Sequence, residues 1–152
     1  MGLLSFMLGL VIANVSGYCL YHSAQSIPKL RTYEAKAEQA AGWSNVAEKR
    51  LRDTRYTVGA GFLATSVSLV CSIYYVLFAT TGSFKGILWA AILSAGEWFT
   101  SRYMKSFWGD KNKIPLMDDY NDAISDTVKV HDLSDALAVG WGAMAVLRLF
   151  GY

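Results

Sequence analysis

Two near-continuous apolar runs, Leu3 to Tyr21 and Tyr56 to Thr80, constrain this chain more than anything else in it. Each is long enough to cross the hydrocarbon core of a bilayer. In lipid a segment satisfies its backbone only as a helix or within a closed barrel, so the β-branched residues of the second run do not argue for a strand. Two further apolar segments follow, at about residues 86–104 and 133–151. Hydrophobic residues make up 53% of the chain and charged residues 17%, a balance poorer in charge than that of soluble domains. The expected fold is all-α: one integral membrane four-helix bundle over residues 1–152. Its spans are at about 3–21, 56–80, 86–104 and 133–151, with amphipathic surface helices in two long connections, 22–55 and 105–132.

Local signals set the expected boundaries. Only Met1 and Gly2 precede the first run, without the basic region of a signal peptide, so it reads as a span. Pro28, which cannot continue a helical ladder, is expected to break the exit from it. From Tyr33 to Thr54, Ala, Glu, Lys, Gln and Arg dominate, and Glu48–Arg52 and Lys49–Asp53 have the spacing of helix-supporting ion pairs. That stretch is expected to lie on the membrane surface or to extend the second helix. Gly82 is the pivot of a tight turn between the second and third segments. After Pro115 a short amphipathic pattern sets Met117, Tyr120, Ile124 and Val128 against Asp118, Asp119, Asp122 and Asp126, read as an interfacial helix. Gly59, Gly61, Ala64, Ser68 and Ser72 in the second segment, and Ala136, Ala138, Gly140 and Gly142 in the fourth, are small residues that let helices approach closely. Arg148 is expected to snorkel to the interface.

Charge sets the orientation. Lys and Arg number seven in residues 22–55 and five in 102–131, with only Lys85 and Arg148 outside them. By the positive-inside rule both long connections are cytosolic and both termini luminal or external, in the endoplasmic reticulum if the source is eukaryotic. A net charge of +2 without an aromatic-interleaved basic patch excludes nucleic acid as a partner. Cys19 and Cys71 form no CxxC pair and sit in apolar segments, as fillers. Asn14-Val15-Ser16 matches a glycosylation triplet only inside a span. The acids after Pro115 lack the alternation and central Gly of a calcium loop, and no P-loop, nucleophile elbow or dinucleotide fingerprint occurs.

One residue stands out. Glu97 lies inside the third segment among Leu93, Ser94, Ala95, Gly96, Trp98 and Phe99, at a depth where an acid must be paired, neutral or facing a wet cavity. It either marks a functional site or locks neighbouring helices by hydrogen bonding. The cytosolic ends of the other spans add Asn14, Tyr18 and His22; Arg55 and Tyr56; Ser101 and Arg102; and His131, Asp132 and Asp135. Bundles build sites from such facing positions. Asn14, Tyr18 and His22, one turn apart, form a stripe expected to face the bundle. His131 and Asp135 have the spacing of an imidazole–carboxylate pair. Two histidines on different helices, without a Glu-x-x-His pair, argue against a metal site, and no metal is expected.

Three short motifs then carry a family resemblance: Ser26-Ile27-Pro28-x-Leu30 leaving the first helix, Arg55-Tyr56 entering the second, and Ile114-Pro115 after the third. In these and in its topology the chain resembles the anthrone oxygenases, small four-helix membrane proteins. The resemblance implies oxidation of an anthrone-like aromatic polyketide to a quinone by oxygen, without a cofactor. Where that family carries Asn after the proline and Trp, Asn and Arg at the start of the fourth helix, this chain has Leu116-Met117 and His131, Asp132 and Asp135. The run Glu48 to Arg52 is similar, more distantly, to one in the eicosanoid and glutathione family of membrane enzymes.

Two functions follow as expectations. In one, a lipophilic, aromatic small molecule enters from the bilayer. Glu97, His131, Asp135, His22 and Tyr18 do acid–base work on it, and Asn14, Trp98, Arg102, Tyr56 and Trp141 bind it. In the other, the chain is a non-enzymatic accessory subunit, self-associating or docked on a larger membrane partner.

Overall fold

The computed structural model describes residues 2–41, 45–78, 84–109 and 118–151. They form four α-helices and, among the described residues, no strand: α1 Leu3–Ala41, α2 Asn45–Phe78, α3 Phe84–Trp108 and α4 Asp118–Leu149. The all-α expectation with four helices is borne out. The Gly82 turn, the boundary at Pro115 and the side chains of Glu48, Asp118, Asp119 and Tyr120 lie outside the described residues.

The boundaries differ from expectation in one consistent way: the long connections are mostly helix. α1 runs straight through Pro28 to Ala41. Pro28 and Ala24, whose carbonyl the proline leaves without its helical donor, are both on the exposed side, away from the packed seams. On the buried side Ser26 Oγ donates to the Ser23 carbonyl at 2.8 Å. The helical stretch before the second span therefore divides, its first part prolonging α1 and its second opening α2. The amphipathic stretch after Pro115 is likewise the first part of α4, continuous with the fourth apolar segment.

The helices alternate in direction. Gly9 faces Val76 while Glu34 meets Arg55, so α1 and α2 are antiparallel. His22 meets Asp126 while Ile12 packs on Gly140, so α1 and α4 are too. The seams α1–α2, α1–α4 and α3–α4 are close-packed, whereas α2 meets α3 over fewer residues, and α1 and α3 face each other across the diagonal.

Each helix turns a three-and-four-spaced stripe inward. On α1 the stripe is Ser5, Gly9, Ile12, Ser16, Cys19, Ser23, Ser26 and Leu30; on α4 it is Ala123, Thr127, Val130, Ser134, Leu137, Trp141, Met144 and Arg148. This is the seven-residue repeat that keeps one seam facing a partner along the whole helix. Its chemistry is inverted relative to a soluble bundle: the buried positions are rich in Ser, Thr and Gly, while Leu4, Met7, Val11, Leu63, Val67 and Val70 are exposed. Glycines make room where helices approach most closely. A Cβ on Gly140 would stand 3.2 Å from Ile12 of α1, and one on Gly142 would stand 3.3 Å from Ser94 Oγ of α3.

Two described helices, Leu3–Thr32 and Arg52–Phe78, are long and apolar enough to cross a membrane. α3 and α4 do not reach that threshold, since α3 carries Glu97 and Arg102, and α4 Asp132, Asp135 and Arg148. Arg148 does not snorkel outward. It is 3% exposed, with its guanidinium carbon 4.5 Å from the centre of the Tyr75 ring. The Tyr75 hydroxyl donates to the Gly86 carbonyl, closing α2 onto α3 at this end.

Candidate functional site

A column of polar side chains runs down the core, and the register of the helices builds it. At mid-height Trp141 Nε1 donates to Ser68 Oγ at 2.8 Å, and Ser68 Oγ lies 2.9 Å from Ser16 Oγ, joining α4, α2 and α1. Trp141 is fully buried in this interlock with its ring edge-on to Tyr75. It is a core residue, not a wall of the outer groove described below.

Glu97 comes next. On α3, Ser94 Oγ donates to the Ala138 carbonyl at 2.7 Å and Ser101 Oγ to the His131 carbonyl at 3.0 Å. These two bonds, a turn to either side, press the Glu97 face of α3 against α4. Glu97 is 2% exposed. Cys19 of α1 and Ser134 of α4 are its neighbours, with the Ser134 hydroxyl close enough to the carboxyl to interact with it. Among the described residues, however, no hydrogen bond of good geometry forms on either carboxyl oxygen or on the Ser134 hydroxyl. Cys19 Sγ turns instead towards the Val130 carbonyl, at 3.6 Å. Buried polar atoms are nearly always satisfied, so an orphaned carboxyl is a place for water or for a ligand group.

One turn nearer the end where α1 stops and α4 starts are the two histidines, both buried. His131 does not pair with Asp135. Its Nδ1 stands 3.0 Å from Oδ1 of its chain neighbour Asp132, which is exposed, and the contact lacks hydrogen-bond geometry. His22 Nδ1 is 3.0 Å from Asp126 Oδ1, while Lys29 Nζ donates to Asp126 Oδ2 at 2.6 Å. His22 Nε2 is buried without a protein partner among the described residues. Burial pushes the Asp126 carboxyl up. The hydrogen bonds and charges of Lys29 and His22 outweigh it and hold the carboxyl below its ordinary value.

The predicted residues thus separate. Glu97, His131 and His22 share the interior. Trp98, Arg102 and Asp135 instead line an outer groove of about 620 Å³ between α3 and α4, floored by Ala91, Ala95, Ala138 and Gly142. There the Arg102 guanidinium stands 5.4 Å from the Trp98 ring centre, a cation–π contact. Asn14, Tyr18 and Tyr56 join neither group. Asn14 is exposed and bonds back to the Leu10 carbonyl, Tyr18 is 55% exposed with its ring edge-on to His22, and Tyr56 is 63% exposed. The expectation that Asn14 and Tyr18 face the bundle is corrected: side chains four apart drift about 40° around a helix, so only His22 of that stripe comes inward.

Asp126, Lys29 and Ser134 enter the column without having been singled out from the sequence as site residues. Asp126 reads there as one acid of a solvated face, and its pairing with Lys29 across 97 positions depends on helix register, which carries no local signal. No three His, Cys, Asp or Glu side chains among the described residues converge as a metal site. No family model, no curated protein and no solved structure matches this chain.

Proposed function

We propose that this chain is a four-span membrane protein that takes a lipophilic, aromatic small molecule from the bilayer and performs acid–base chemistry on it at Glu97. Support for the membrane begins with the inverted pattern, in which small polar residues pack the seams and large apolar ones face out. That arrangement suits lipid, where close backbone approach and interhelical hydrogen bonds hold helices together. The two long apolar helices and the concentration of Lys and Arg towards one end add to it.

The observation that carries the chemistry is the Glu97 carboxyl, buried at the centre of the bundle with the Ser134 hydroxyl beside it and no charged partner or well-formed hydrogen bond on either oxygen among the described residues. A polar group kept at such depth without a structural partner is a mark of function. Glu97 is the proton acceptor or donor, and His131, one turn away along the α3–α4 seam, is the second group. Trp98 and Arg102 on the outer groove receive the aromatic body and a polar substituent of the ligand on its way in. In the sharpest form, suggested by the anthrone-oxygenase resemblance, Glu97 removes the acidic ring proton of an anthrone-like substrate and dioxygen then reacts with the carbanion.

The accessory-subunit reading has its own support: the outer groove floored by Ala91, Ala95, Ala138 and Gly142 fits a partner helix as well as a small molecule. Glu97→Gln separates the two. Purified wild type and variant are assayed for conversion of a panel of lipophilic aromatics, including anthrones, alongside melting temperature. A variant that melts like the wild type but turns over at least about 100-fold more slowly supports the enzyme. A wild type that converts nothing on the panel, with a variant that melts earlier, makes Glu97 interhelical glue and favours the accessory role.

A further inference from the structure

A second cavity, of about 320 Å³, opens between α1 and α2 on the side away from the outer groove. Its volume is in the range of small-ligand sites, roughly 300–1,000 Å³. Leu30, Gly59 and Phe62 make an apolar floor, and Arg31, Glu34 and Arg55 stand at the mouth. Glu34 grips Arg55 through both its oxygens, with Nε to Oε1 at 3.1 Å and the Arg55 Nη2 to Oε2 at 3.3 Å. This fixes one guanidinium at the opening and neutralises it. Arg31 is exposed and has no carboxylate partner among the described residues, so the mouth keeps a net positive charge. The two long apolar stretches, Leu3–Thr32 and Arg52–Phe78, both end at this mouth. Phe62 lies about two turns, roughly 10 Å, deeper than Arg55. The cavity therefore straddles the plane where hydrocarbon gives way to headgroups.

We propose that the α1–α2 cavity is a binding site for an anionic phospholipid of the leaflet facing the 22–55 connection, a proposal that rests on the membrane reading above. An acyl chain lies along Leu30 and Phe62, and the phosphate meets Arg31. Charge decides the lipid class. Among the described residues lining the mouth the one carboxylate, Glu34, is already engaged by Arg55, so it offers a choline headgroup no free counter-charge. A headgroup with net negative charge finds Arg31.

The test uses the full chain in detergent, with retention of phosphatidylglycerol, phosphatidylcholine or glycerol 3-phosphate read by native mass spectrometry. Wild type retains phosphatidylglycerol over phosphatidylcholine, and Arg31→Gln weakens that retention about fivefold. Gly59→Leu abolishes it without lowering the melting temperature. Gly59 lines the cavity and a Cβ there meets nothing within 4 Å, so the new side chain branches into the cavity from an unobstructed Cβ. Equal retention of both lipids by wild type, or phosphatidylglycerol retention unchanged in both variants, overturns the proposal. So does glycerol 3-phosphate bound as tightly as the lipid, which would assign the site to soluble phosphates. Release of the chain from membranes by alkaline carbonate would sink the membrane reading as well. Firm membrane retention without a lipid preference sinks this site alone.

Discussion

Ser94 and Ser101 bracket Glu97 along α3 and tie both neighbouring turns to carbonyls of α4. The shared face of Ser94, Glu97 and Ser101 was legible in the sequence, because they recur at helical spacing and an acid among Leu, Ala and Phe has few roles to choose from; the α4 carbonyls that receive the two serines were not. The Asp126 cluster was not, since what makes it special is Lys29 and His22 arriving from α1. Its pH behaviour follows from direction alone. A carboxyl held below its ordinary value binds protons less readily folded than unfolded, so it stabilises the fold above the unfolded value of about 4. That contribution is lost as pH falls through the folded value. Asp126→Asn should lower stability at neutral pH by about 2 kcal/mol, the scale of hydrogen bonds to a charged group. Melting curves of wild type and variant between pH 7 and about pH 3 should converge on the acid side. A constant gap across that range would show that the carboxylate charge contributes nothing.

At the level of the helices, the sequence announced four apolar segments but hid their packing faces. A search for core positions looks for Leu, Ile and Val at three-and-four spacing, and here those positions hold Ser5, Ser16, Ser23, Thr65, Ser68 and Ser72. The same inversion explains why the connections looked like loops or surface helices. Polar composition beyond each apolar stretch does not end a helix whose neighbours continue beside it, as α1 and α2 do past Pro28 and Arg55. Glycine positions test this packing. A Cβ on Gly61 would stand 2.9 Å from Met104 Sδ and 3.3 Å from Val130 Cγ1, and Met104 is itself buried; one on Gly17 meets nothing within 4 Å. Gly61→Ala should therefore cost about 1–3 kcal/mol through overpacking, while Gly17→Ala should be neutral or slightly stabilising through helix propensity. Thermal unfolding of the two variants in the same detergent decides it; equal melting temperatures would contradict the α2–α3–α4 packing around Gly61.

For the molecule as a whole, antiparallel order puts the Ala41, Asn45, Trp108 and Asp118 helix ends at one pole and both termini at the other. With the membrane reading, cysteines introduced at Lys49 and Lys105 should be labelled by an impermeant maleimide only from the cytosolic side. Tags at either terminus should be reached only from the opposite side. Labelling of Lys49 and Lys105 positions from different sides would break the four-span arrangement.

Three seams of this bundle are close-packed and the fourth, between α2 and α3, is thin. Mechanically such a molecule resembles a bound book. α1 and α4 are the spine, each carries a cover, and the fore-edge is latched at one end where Tyr75 and Arg148 meet around Gly86. Thermal breathing then concentrates between that latch and the close approach of Gly61 to Met104. Parting the covers there would uncover Glu97 to the surrounding medium while leaving its serine tethers to α4 intact.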